Sequence, residues 1–208
     1  MIKTKELRFQ YQAGELFSFP DINLNAKEHL AILGPSGVGK TTLLHLLSGI
    51  LPASSGTIVI NDTEITALGR KALDEFRGAQ IGLVFQQYHF VKSLNVEENL
   101  QLRQYFPRKL QEKGRREAIA ERLGLSDHLK KKVTRLSQGQ QQRLSIALGL
   151  IHRPKVVLAD EPTSNLDDAN CSRVLGLLKE EAELCESSLV IITHDQRVTE
   201  HFKNQIVL

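Results

Sequence analysis

Apolar runs and two-residue alternation characterise the first 87 residues of the chain. Alternating apolar and polar positions are typical of strands with one buried face, and short continuous apolar runs are typical of strands buried on both faces. One apolar segment leads directly into a glycine-rich loop, and a helical pattern follows that loop. The elements predicted in this part are the strands Ile2–Phe9, Glu15–Phe19, His29–Leu33, Gly56–Ile60 and Ile81–Phe85 and the helix Lys40–Ser48.

The pattern changes between about Tyr88 and Arg153. Val96–Tyr105 and Gln111–Leu123 have the composition of helices, and strand signals are absent from the whole segment. We therefore expect residues 88–153 to form a helical subdomain inserted into an α/β core.

After Pro154 strands and helices alternate again, which favours a mostly parallel sheet with helices on both faces. Residues 1–87 and 154–208 would then form one α/β core, and the chain a single domain of 208 residues. The elements predicted here are the strand Val156–Asp160, the helix Asp167–Leu184, the strand Leu189–Thr193, the short helix Gln196–Phe202 and the strand Gln205–Leu208.

Composition excludes several classes of protein. The net charge of +3 is too small to indicate nucleic-acid binding by itself. The chain contains no run of about 18 apolar residues, and its start, MIKTKELRF, lacks a signal-peptide core, so we expect a cytosolic protein without a membrane span. Cys171 and Cys185 would lie about 21 Å apart on one helix, too far for a disulfide.

The loop Gly34–Thr41 (GPSGVGKT) predicts a nucleotide site. It satisfies the pattern GxxxxGK[ST] and lies between a predicted strand and a predicted helix, the context that this phosphate-binding motif requires. Backbone N–H groups and the helix N-terminus attract phosphate, Lys40 would reach the β- and γ-phosphates, and Thr41 would offer its hydroxyl to Mg²⁺. The alternative, a glycine-rich turn without a ligand, fits the flanking elements poorly.

Further polar side chains follow predicted parallel strands. Asp160 and Glu161 end an apolar strand, where adjacent acids indicate a cation or a reaction. Asp160 would hold Mg²⁺, and Glu161 would orient or deprotonate an attacking water. His194 and Gln86 also follow strands, although each residue alone is more often structural. Ligands bind at the carboxyl ends of the strands in an open α/β sheet, which favours a functional role for His194 and Gln86.

A second anion-binding helix start occurs at Leu136–Leu150 (LSQGQQQRLSIALGL), with Ser137 and Gly139 at its head. The apolar residues of this helix recur at helical spacing, which would anchor it while its N-terminus stays free. The predicted apolar stripe comprises Leu144, Ala147, Leu148 and Ile151. From the residues alone, an ordinary capped helix is the alternative.

Together these motifs resemble the ATP-binding cassette family, the nucleotide-binding subunits of ABC transporters. Seven motifs occur in the family's order over essentially the whole chain. They are Tyr11, which matches the adenine-stacking aromatic; Gly34–Thr41, the Walker A loop; Gln86, the Q-loop glutamine; Leu136–Gln140, the signature; Val156–Asp160 with Glu161, Walker B and the catalytic glutamate; Ser164–Asp167, the D-loop; and His194, the switch histidine.

The resemblance implies an α/β fold of the P-loop NTPase (RecA-like) class, with a small N-terminal antiparallel β subdomain and the inserted helical subdomain. It implies an ATPase with ATP and Mg²⁺ as ligands. Catalysis would involve Glu161, His194 and Lys40, and Thr41, Gln86 and Asp160 would contact the metal. The residues that it assigns to ATP are Tyr11, Gly34, Pro35, Ser36, Gly37, Val38, Gly39, Lys40, Thr41, Thr42, Gln86, Ser137, Gly139 and Gln140.

The family also implies partners. Two cassettes pair head to tail, so that Ser137 and Gly139 of one copy contact the ATP held by the other. An integral membrane permease would dock near Tyr88–Leu102, which predicts a peripheral location on the cytoplasmic face of the cell (inner) membrane. No nucleic-acid partner is expected.

Two departures from the family pattern stand out. Gln138 occupies a signature position where the family most often has glycine, and a longer side chain there could alter closure or turnover. Many relatives continue beyond Ile206–Leu208, so we expect no C-terminal regulatory domain and an exposed last strand. The segments Phe76–Leu102 and Val157–Asp167 most resemble the LolD/MacB group, which includes lipoprotein-release ATPases.

Other classes remain as alternatives. FtsE-like ATPases and amino-acid importer ATPases share much of the same sequence in these segments. A soluble cassette ATPase acting on nucleic acid or ribosomes is a rival, but such proteins usually carry two cassettes, coiled coils or zinc modules. A non-enzymatic binding module conflicts with the intact Glu161 and His194. The basic segment Arg108–Arg116 has few aromatics for base stacking and is interpreted as a solvated helix face.

Overall fold

The N-terminal part of the protein is an antiparallel sheet. The computed structural model describes residues 1–12, 14–105, 112–164 and 166–208. The sheet has the order β2–β1–β5–β6, with β3 paired to β1 away from this path. Its strands are β1 (Ile2–Gln10), β2 (Leu16–Ser18), β3 (Asn23–Leu24), β5 (Ser55–Ile60) and β6 (Thr63–Glu64).

A β-bulge explains an irregularity in the burial pattern of β1. Ile2 and Thr4 are buried at even positions, whereas Leu7 and Phe9 are buried at odd positions. The register between β1 and β5 shifts between Lys5 and Arg8, and the extra residue turns the second half of the strand by one position. The bulge thereby keeps the apolar side chains of both halves on the core face.

The second sheet is parallel and positions the predicted site. Its order is β10–β4–β9–β8–β7, and every strand pair in it is parallel. The carboxyl ends of all its strands therefore meet at one edge, where polar side chains converge. The strands are β4 (His29–Leu33), β7 (Ile81–Val84), β8 (Val156–Asp160), β9 (Ser188–Thr193) and β10 (Asn204–Val207).

Six α-helices cover the sheets within the described residues. Short 3₁₀ turns occupy 65–67, 126–128, 133–135 and 196–201. The helices are α1 (Lys40–Leu47), α2 (Arg70–Gln80), α3 (Val96–Tyr105), α4 (Lys113–Arg122), α5 (Gln138–Leu150) and α6 (Asp168–Leu184).

Two hydrophobic cores lie on opposite faces of the parallel sheet. Alternate residues of β8 enter different cores: Val157 and Ala159 pack with α3–α6, whereas Val156 and Leu158 pack with α1 and the antiparallel sheet. A strand buried on both faces has a nearly continuous apolar sequence, as β8 and β9 do. The α/β P-loop fold expected from the sequence is confirmed.

Helix α5 lies unusually close to the parallel sheet. A Cβ built on Gly82 in β7 would stand 2.1 Å from the carbonyl oxygen of Gly149 in α5. Only a pair of glycines allows this approach. Nearer the N-terminus of α5, the side chain of Gln142 donates to the carbonyl oxygen of Pro162, just after β8.

The structure differs from several predicted elements. Helix α2 was not predicted, because its only large apolar residues, Leu73 and Phe76, are half-buried and the remainder is mostly polar. The short strands β3 and β6 were also not predicted, because their residues show no strand pattern in the sequence. The segment predicted as helix Gln196–Phe202 is a 3₁₀ helix over Gln196–His201. Helix α4 begins at Lys113, and Gln111, where the prediction began, lies outside the described residues.

The interpretation of Arg108–Arg116 as a solvated helix face is wrong for Arg115 and Arg116, whereas Lys113 is exposed as expected. The side chain of Arg116 is buried and donates to Oε1 of Gln104 at 2.8 Å. Arg115 donates to the carbonyl oxygen of Leu150 at 3.3 Å and to Sγ of Cys185 at 3.1 Å. These guanidinium groups therefore join α4 to neighbouring elements. The earlier part of the segment lies outside the described residues.

The predicted apolar stripe of α5 is incomplete. Leu144, Ala147 and Ile151 are buried as expected, but Leu148 is only half-buried. Ile146 and Leu150, outside the stripe, are fully buried, because α5 packs against β7, α3 and α6 and is enclosed on more than one side. Cys171 and Cys185 are both free thiols, as expected.

Candidate functional site

The loop between β4 and α1 forms an open cradle. Gly37 and Gly39 have φ of 91° and 96°, values that favour glycine, and a Cβ on Gly39 would lie 2.7 Å from the ring of Phe17. Gly39 is also the N-cap of α1 and supplies no side-chain acceptor. The first N–H groups of α1 therefore have no capping side chain and can receive an anion.

Lys40 is held inside this cradle. Its ammonium group is buried and donates to the carbonyl oxygens of Gly34 at 2.7 Å and Pro35 at 2.8 Å. Weak carbonyl acceptors satisfy the charge only in part, so a phosphate oxygen would be a stronger partner.

A cavity of about 340 Å³ joins the cradle to the ends of the parallel strands. It brings together many of the residues predicted from sequence and adds Phe17, which gave no motif. Gly34, Pro35, Val38 and Asp160 lie outside its lining. The lining residues are Phe17, Ser36, Gly37, Gly39, Lys40, Thr41, Thr42, Gln86, Glu161 and His194.

An aromatic cluster stands beside the cradle. The hydroxyl group of Tyr11 lies 3.1 Å from Oγ1 of Thr42, and its half-exposed ring meets Phe9 edge to face at 4.6 Å. Phe17 lies 6.2 Å from the rings of both Tyr11 and Phe19. Tyr11, the predicted adenine-stacking residue, is therefore next to the cavity, while Phe17 lines it.

Thr41 and Asp160 form a candidate metal site. Oγ1 of Thr41 donates to Oδ2 of Asp160 at 3.1 Å, while Oδ1 of Asp160 is buried without a hydrogen-bond partner in the described part of the chain. Burial raises the pKa of Asp160, with Glu161 nearby adding to the shift. A buried, unpartnered carboxylate oxygen beside a hydroxyl suits Mg²⁺, which prefers oxygen ligands.

Gln86, the third residue predicted to contact the metal, is hydrogen-bonded to a different residue. The amide nitrogen of Gln86 donates to Oγ of Ser164 at 3.4 Å. No cluster of three or more His, Cys, Asp or Glu side chains that could hold a metal occurs among the described residues. A cation would therefore depend on Thr41, Asp160 and oxygen atoms of its substrate.

Glu161 is fixed at the end of β8 by three donors. Its carboxylate accepts from Oγ1 of Thr193 at 2.8 Å, from the backbone N–H of His194 at 3.1 Å and from Nδ1 of His194 at 2.7 Å. Its φ of 47° is rare for a non-glycine residue and turns the side chain towards β9. Because a carboxylate only accepts, Nδ1 of His194 carries a hydrogen.

Arg197 links the segment after His194 to the predicted D-loop. It donates to both carboxylate oxygens of Asp195, to Oδ1 of Asp168 at 2.6 Å and to the carbonyl oxygen of Leu166 at 3.1 Å. These hydrogen bonds lower the pKa of Asp195 to about 2. Arg197 was missed because no sequence motif marks it, and Asn165 of the D-loop lies outside the described residues.

The signature helix begins with a capping box. Oγ of Ser137 accepts from the backbone N–H of Gln140 at 3.3 Å, and Oε1 of Gln140 accepts from the backbone N–H of Ser137 at 2.9 Å. Ser137 and Gly139 are exposed, and nothing lies within 4 Å of a Cβ built on Gly139. Ser137, Gly139 and Gln140 do not line the cavity beside Lys40.

A separate groove of about 790 Å³ lies between α2, β7, α3 and α5. Its wall includes Phe85, His89 and Phe90, and Tyr88 stacks on Phe90 with ring centres 5.4 Å apart. Arg103 donates to the carbonyl oxygen of Ile81 at 3.2 Å, and burial lowers its pKa to about 10. The region predicted for docking, Tyr88–Leu102, contributes much of this groove.

No helix in the described ranges is both long enough and apolar enough to span a membrane.

Comparison with known proteins agrees with this geometry. Residues 19–164 match the family described as ABC transporter. Over 196 residues the chain is 37% identical to the lipoprotein-releasing system ATP-binding protein LolD of Legionella pneumophila (strain Paris), covering 93% of this chain and 86% of LolD. Over 204 residues it is 34% identical to the macrolide export ATP-binding/permease protein MacB of Escherichia coli O157:H7, covering 95% of this chain and 31% of MacB.

The fold also matches a solved structure over its full length. The dimeric structure of a post-hydrolysis state of the ATP-binding cassette MJ0796, bound to ADP and Pi, covers 100% of this chain and 94% of its own, with a TM-score of 0.87 and 31% identity. The family match, the relatives and this structure agree on the family and the fold. The chain belongs to the ABC transporter family and is an ATP-binding subunit, an ATPase, of that family.

Proposed function

We propose that this subunit hydrolyses MgATP between two copies of itself and drives a membrane-embedded permease. The observation that carries the proposal is the single cavity that brings Lys40, Thr41, Glu161 and His194 together at the carboxyl edge of the parallel sheet. An ATPase of this kind needs a phosphate cradle, a cation site and a water-orienting group within reach of one phosphate.

Nucleotide binding would begin at the cradle. The N–H groups at the start of α1, which have no capping side chain, surround the phosphates, and Lys40 exchanges its carbonyl partners for the β- and γ-phosphate oxygens. Tyr11 offers a ring to adenine, and Phe17 closes the side of the cavity.

Thr41 and Asp160 would hold Mg²⁺, with Gln86 completing the contact after leaving Ser164. When bound, Mg²⁺ neutralises charge on the β- and γ-phosphates. The residues fit this role because Oδ1 of Asp160 is buried and unpaired in the described part of the chain.

Hydrolysis would depend on Glu161 and His194. Glu161 orients the attacking water and accepts its proton as the new bond to the γ-phosphorus forms and the bond to ADP breaks. The neutral ring of His194 with hydrogen on Nδ1 has none on Nε2. Donation from Nε2 to the γ-phosphate therefore requires the imidazolium form, for which Glu161 is the counter-ion at 2.7 Å.

The second copy would complete the site. The N–H groups of Gln138 and Gly139 precede the first hydrogen bond of α5, from Gln141 to Ser137, and that of Gln140 is used by the capping box. The hydroxyl of Ser137 uses a lone pair for the cap, so its hydrogen stays available. Ser137, Gly139 and Gln140 of one copy would then bind the γ-phosphate held by the other. Dimeric cassettes such as MJ0796 support this arrangement.

The membrane partner would occupy the groove between α2 and α3. We propose that residues 88–153 act as the helical subdomain and residues 1–87 and 154–208 as the α/β core, so that closure of the dimer moves the groove wall. The aromatic lining suits an apolar segment of a permease. The name of MacB describes an ATP-binding protein joined to a permease. The similarity to MacB and to LolD favours membership of the LolD/MacB branch and a location on the cytoplasmic face of the inner membrane.

The test is to purify the full-length Glu161→Gln variant from gently solubilised membranes with MgATP. We expect hydrolysis to fall at least about 100-fold and a polytopic membrane protein to co-purify with two copies of the chain. Glu200→Gln, an exposed change, is the matched control and should hydrolyse ATP at the wild-type rate.

Two results would contradict the proposal. Wild-type turnover by Glu161→Gln would remove its assigned role. Recovery only from the soluble fraction, bound to nucleic acid or ribosomes, would replace the transporter by a soluble cassette ATPase. The topology of a captured permease, with few spans and a large outer domain or with many spans, would separate the LolD/MacB branch from an importer.

A further inference from the structure

His128 lies directly behind the signature helix, although no motif includes it. It ends the 3₁₀ turn Ser126–His128, and its backbone is held by hydrogen bonds to Leu125 and from Lys131. Its imidazole Nε2 lies 2.6 Å from the side-chain nitrogen of Gln140, the residue that closes the capping box at Ser137.

The orientation of the Gln140 amide follows from its other contact. The backbone N–H of Ser137 can only donate, so the atom that faces it must be Oε1, and Nε2 must face His128. The amide nitrogen is itself a donor. Nε2 of His128 must therefore accept, and the neutral ring carries its hydrogen on Nδ1.

Nδ1 of His128 is buried and has no hydrogen-bond partner among the residues that the structure describes. Among the described residues, the tautomer is thus selected by Gln140. Charged groups occur on every segment around the turn, but within the described residues none of them is hydrogen-bonded to this imidazole. They are Asp127, Lys130 and Lys131 on its own segment, Glu97 and Glu98 on α3, Glu121 and Arg122 on α4, and Arg143 on α5.

We propose that His128 is a positioning residue for the signature motif and that its neutral form is required. A protonated ring has a hydrogen on both nitrogens and would place two donors face to face at 2.6 Å. If the Gln140 amide turned over to accept from His128, its nitrogen would face the N–H of Ser137. Either arrangement breaks one bond of the chain that runs from His128 through Gln140 to Ser137.

The effect on catalysis rests on the proposed function, in which Ser137 binds ATP held by the partner copy. Loss of one hydrogen bond of this chain corresponds to about a fivefold change in an equilibrium. Protonation of His128 therefore weakens ATP-driven pairing about fivefold and leaves ATP binding by a single copy unchanged.

The first measurement does not depend on pairing. In ¹⁵N NMR spectra of the nucleotide-free chain at pH 8, we expect His128 to show a protonated Nδ1 and an unprotonated Nε2. On acidification, its protonation should move the signals of the Gln140 side-chain amide and of the Ser137 backbone amide together. The opposite tautomer, or Gln140 signals that do not follow His128, would overturn the inference.

The second measurement compares variants in ATP-driven pairing, in the Glu161→Gln background, by light scattering. His128→Gln keeps an acceptor that does not titrate, so it should pair as the parent does at pH 8 and lose less pairing than the parent as the pH is lowered. His128→Phe has no acceptor and should pair about fivefold more weakly at pH 8. Identical pH profiles for the parent and His128→Gln would overturn the positioning role.

The two experiments separate the failure modes. If the parent chain does not pair with ATP while the NMR coupling is present, the head-to-tail arrangement fails and the link from His128 to Gln140 stands. If His128→Phe does not fold, the comparison of the parent with His128→Gln still decides the matter.

Discussion

Replacing Gly82 by alanine should distort the contact between β7 and α5. The added Cβ would stand 2.1 Å from the carbonyl oxygen of Gly149 and 3.0 Å from Cγ of Pro154. Ordinary van der Waals contact begins at 3.4 Å, so the helix must retreat by about 1.3 Å, the difference between 3.4 and 2.1. The first obstacle is backbone and cannot rotate away.

The expected cost is about 2–3 kcal/mol of unfolding free energy, the upper part of the range of about 1–3 kcal/mol typical of overpacked cores, because the obstacle is backbone. For a chain of 208 residues this corresponds to a melting temperature lower by about 4–12 °C. Urea denaturation followed by circular dichroism measures the free energy directly. ATP hydrolysis should fall as well, because α5 carries Ser137 and is bonded to the turn after β8.

Gly176→Ala is the matched control. Gly176 lies within α6 with nothing within 4 Å of a built Cβ, so alanine there should stabilise the protein by about 0.5–1 kcal/mol through its higher helix propensity. If Gly82→Ala unfolds at the same urea concentration as Gly176→Ala, the close approach of α5 and β7 is refuted.

Three further predictions concern the site. Asp160→Asn should reduce the rate of hydrolysis at least about 100-fold and yet make the free chain more stable at pH 7. Burial raises the pKa of Asp160, so its ionised form destabilises the fold above the unfolded pKa. In urea denaturation, the stability advantage of the variant over wild type should therefore shrink as the pH falls towards 4. Ser137→Arg should block ATP-dependent pairing in light scattering while ATP binding by the single copy persists; pairing at wild-type strength would refute the trans role of α5. Arg197→Ala should slow hydrolysis severalfold without loss of ATP binding. Because the pKa of Asp195 is lowered to about 2, the ionised carboxylate stabilises the fold above pH 4, and this stabilisation is lost between pH 4 and 2. In urea denaturation at acid pH, the wild type should lose this unfolding free energy and the variant should not.

The sequence predicted those parts of the molecule that repeat a simple physical pattern. The parallel strands and their polar carboxyl ends were visible because a strand buried on both faces leaves a continuous apolar run, and the Gly34–Thr41 loop because phosphate binding needs glycine at fixed spacing. The fold and the family followed from these features.

The unpredicted features depend on contacts between distant residues. Helix α2 has no buried residue, so its pattern carries little hydrophobic signal. Phe17 enters the cavity because β2 pairs with β1, and Arg197 reaches Asp168 and Leu166 across the fold. The burial of Arg115 and Arg116 was misjudged, since buried guanidinium groups look like surface cations until their partners are known.

One buried hydrogen bond would couple the two ATP sites of the proposed dimer. The side-chain nitrogen of Gln142, on α5, donates to the carbonyl oxygen of Pro162, the residue next to Glu161. In the head-to-tail pair proposed above, α5 would contact the nucleotide of the other copy, while Glu161 would act on the nucleotide of its own copy. A displacement of α5 by one ATP would then be passed to the carboxylate of Glu161 at the other site. The two ATP molecules would then be hydrolysed as a coupled pair, with a rate that rises more steeply than linearly with ATP concentration.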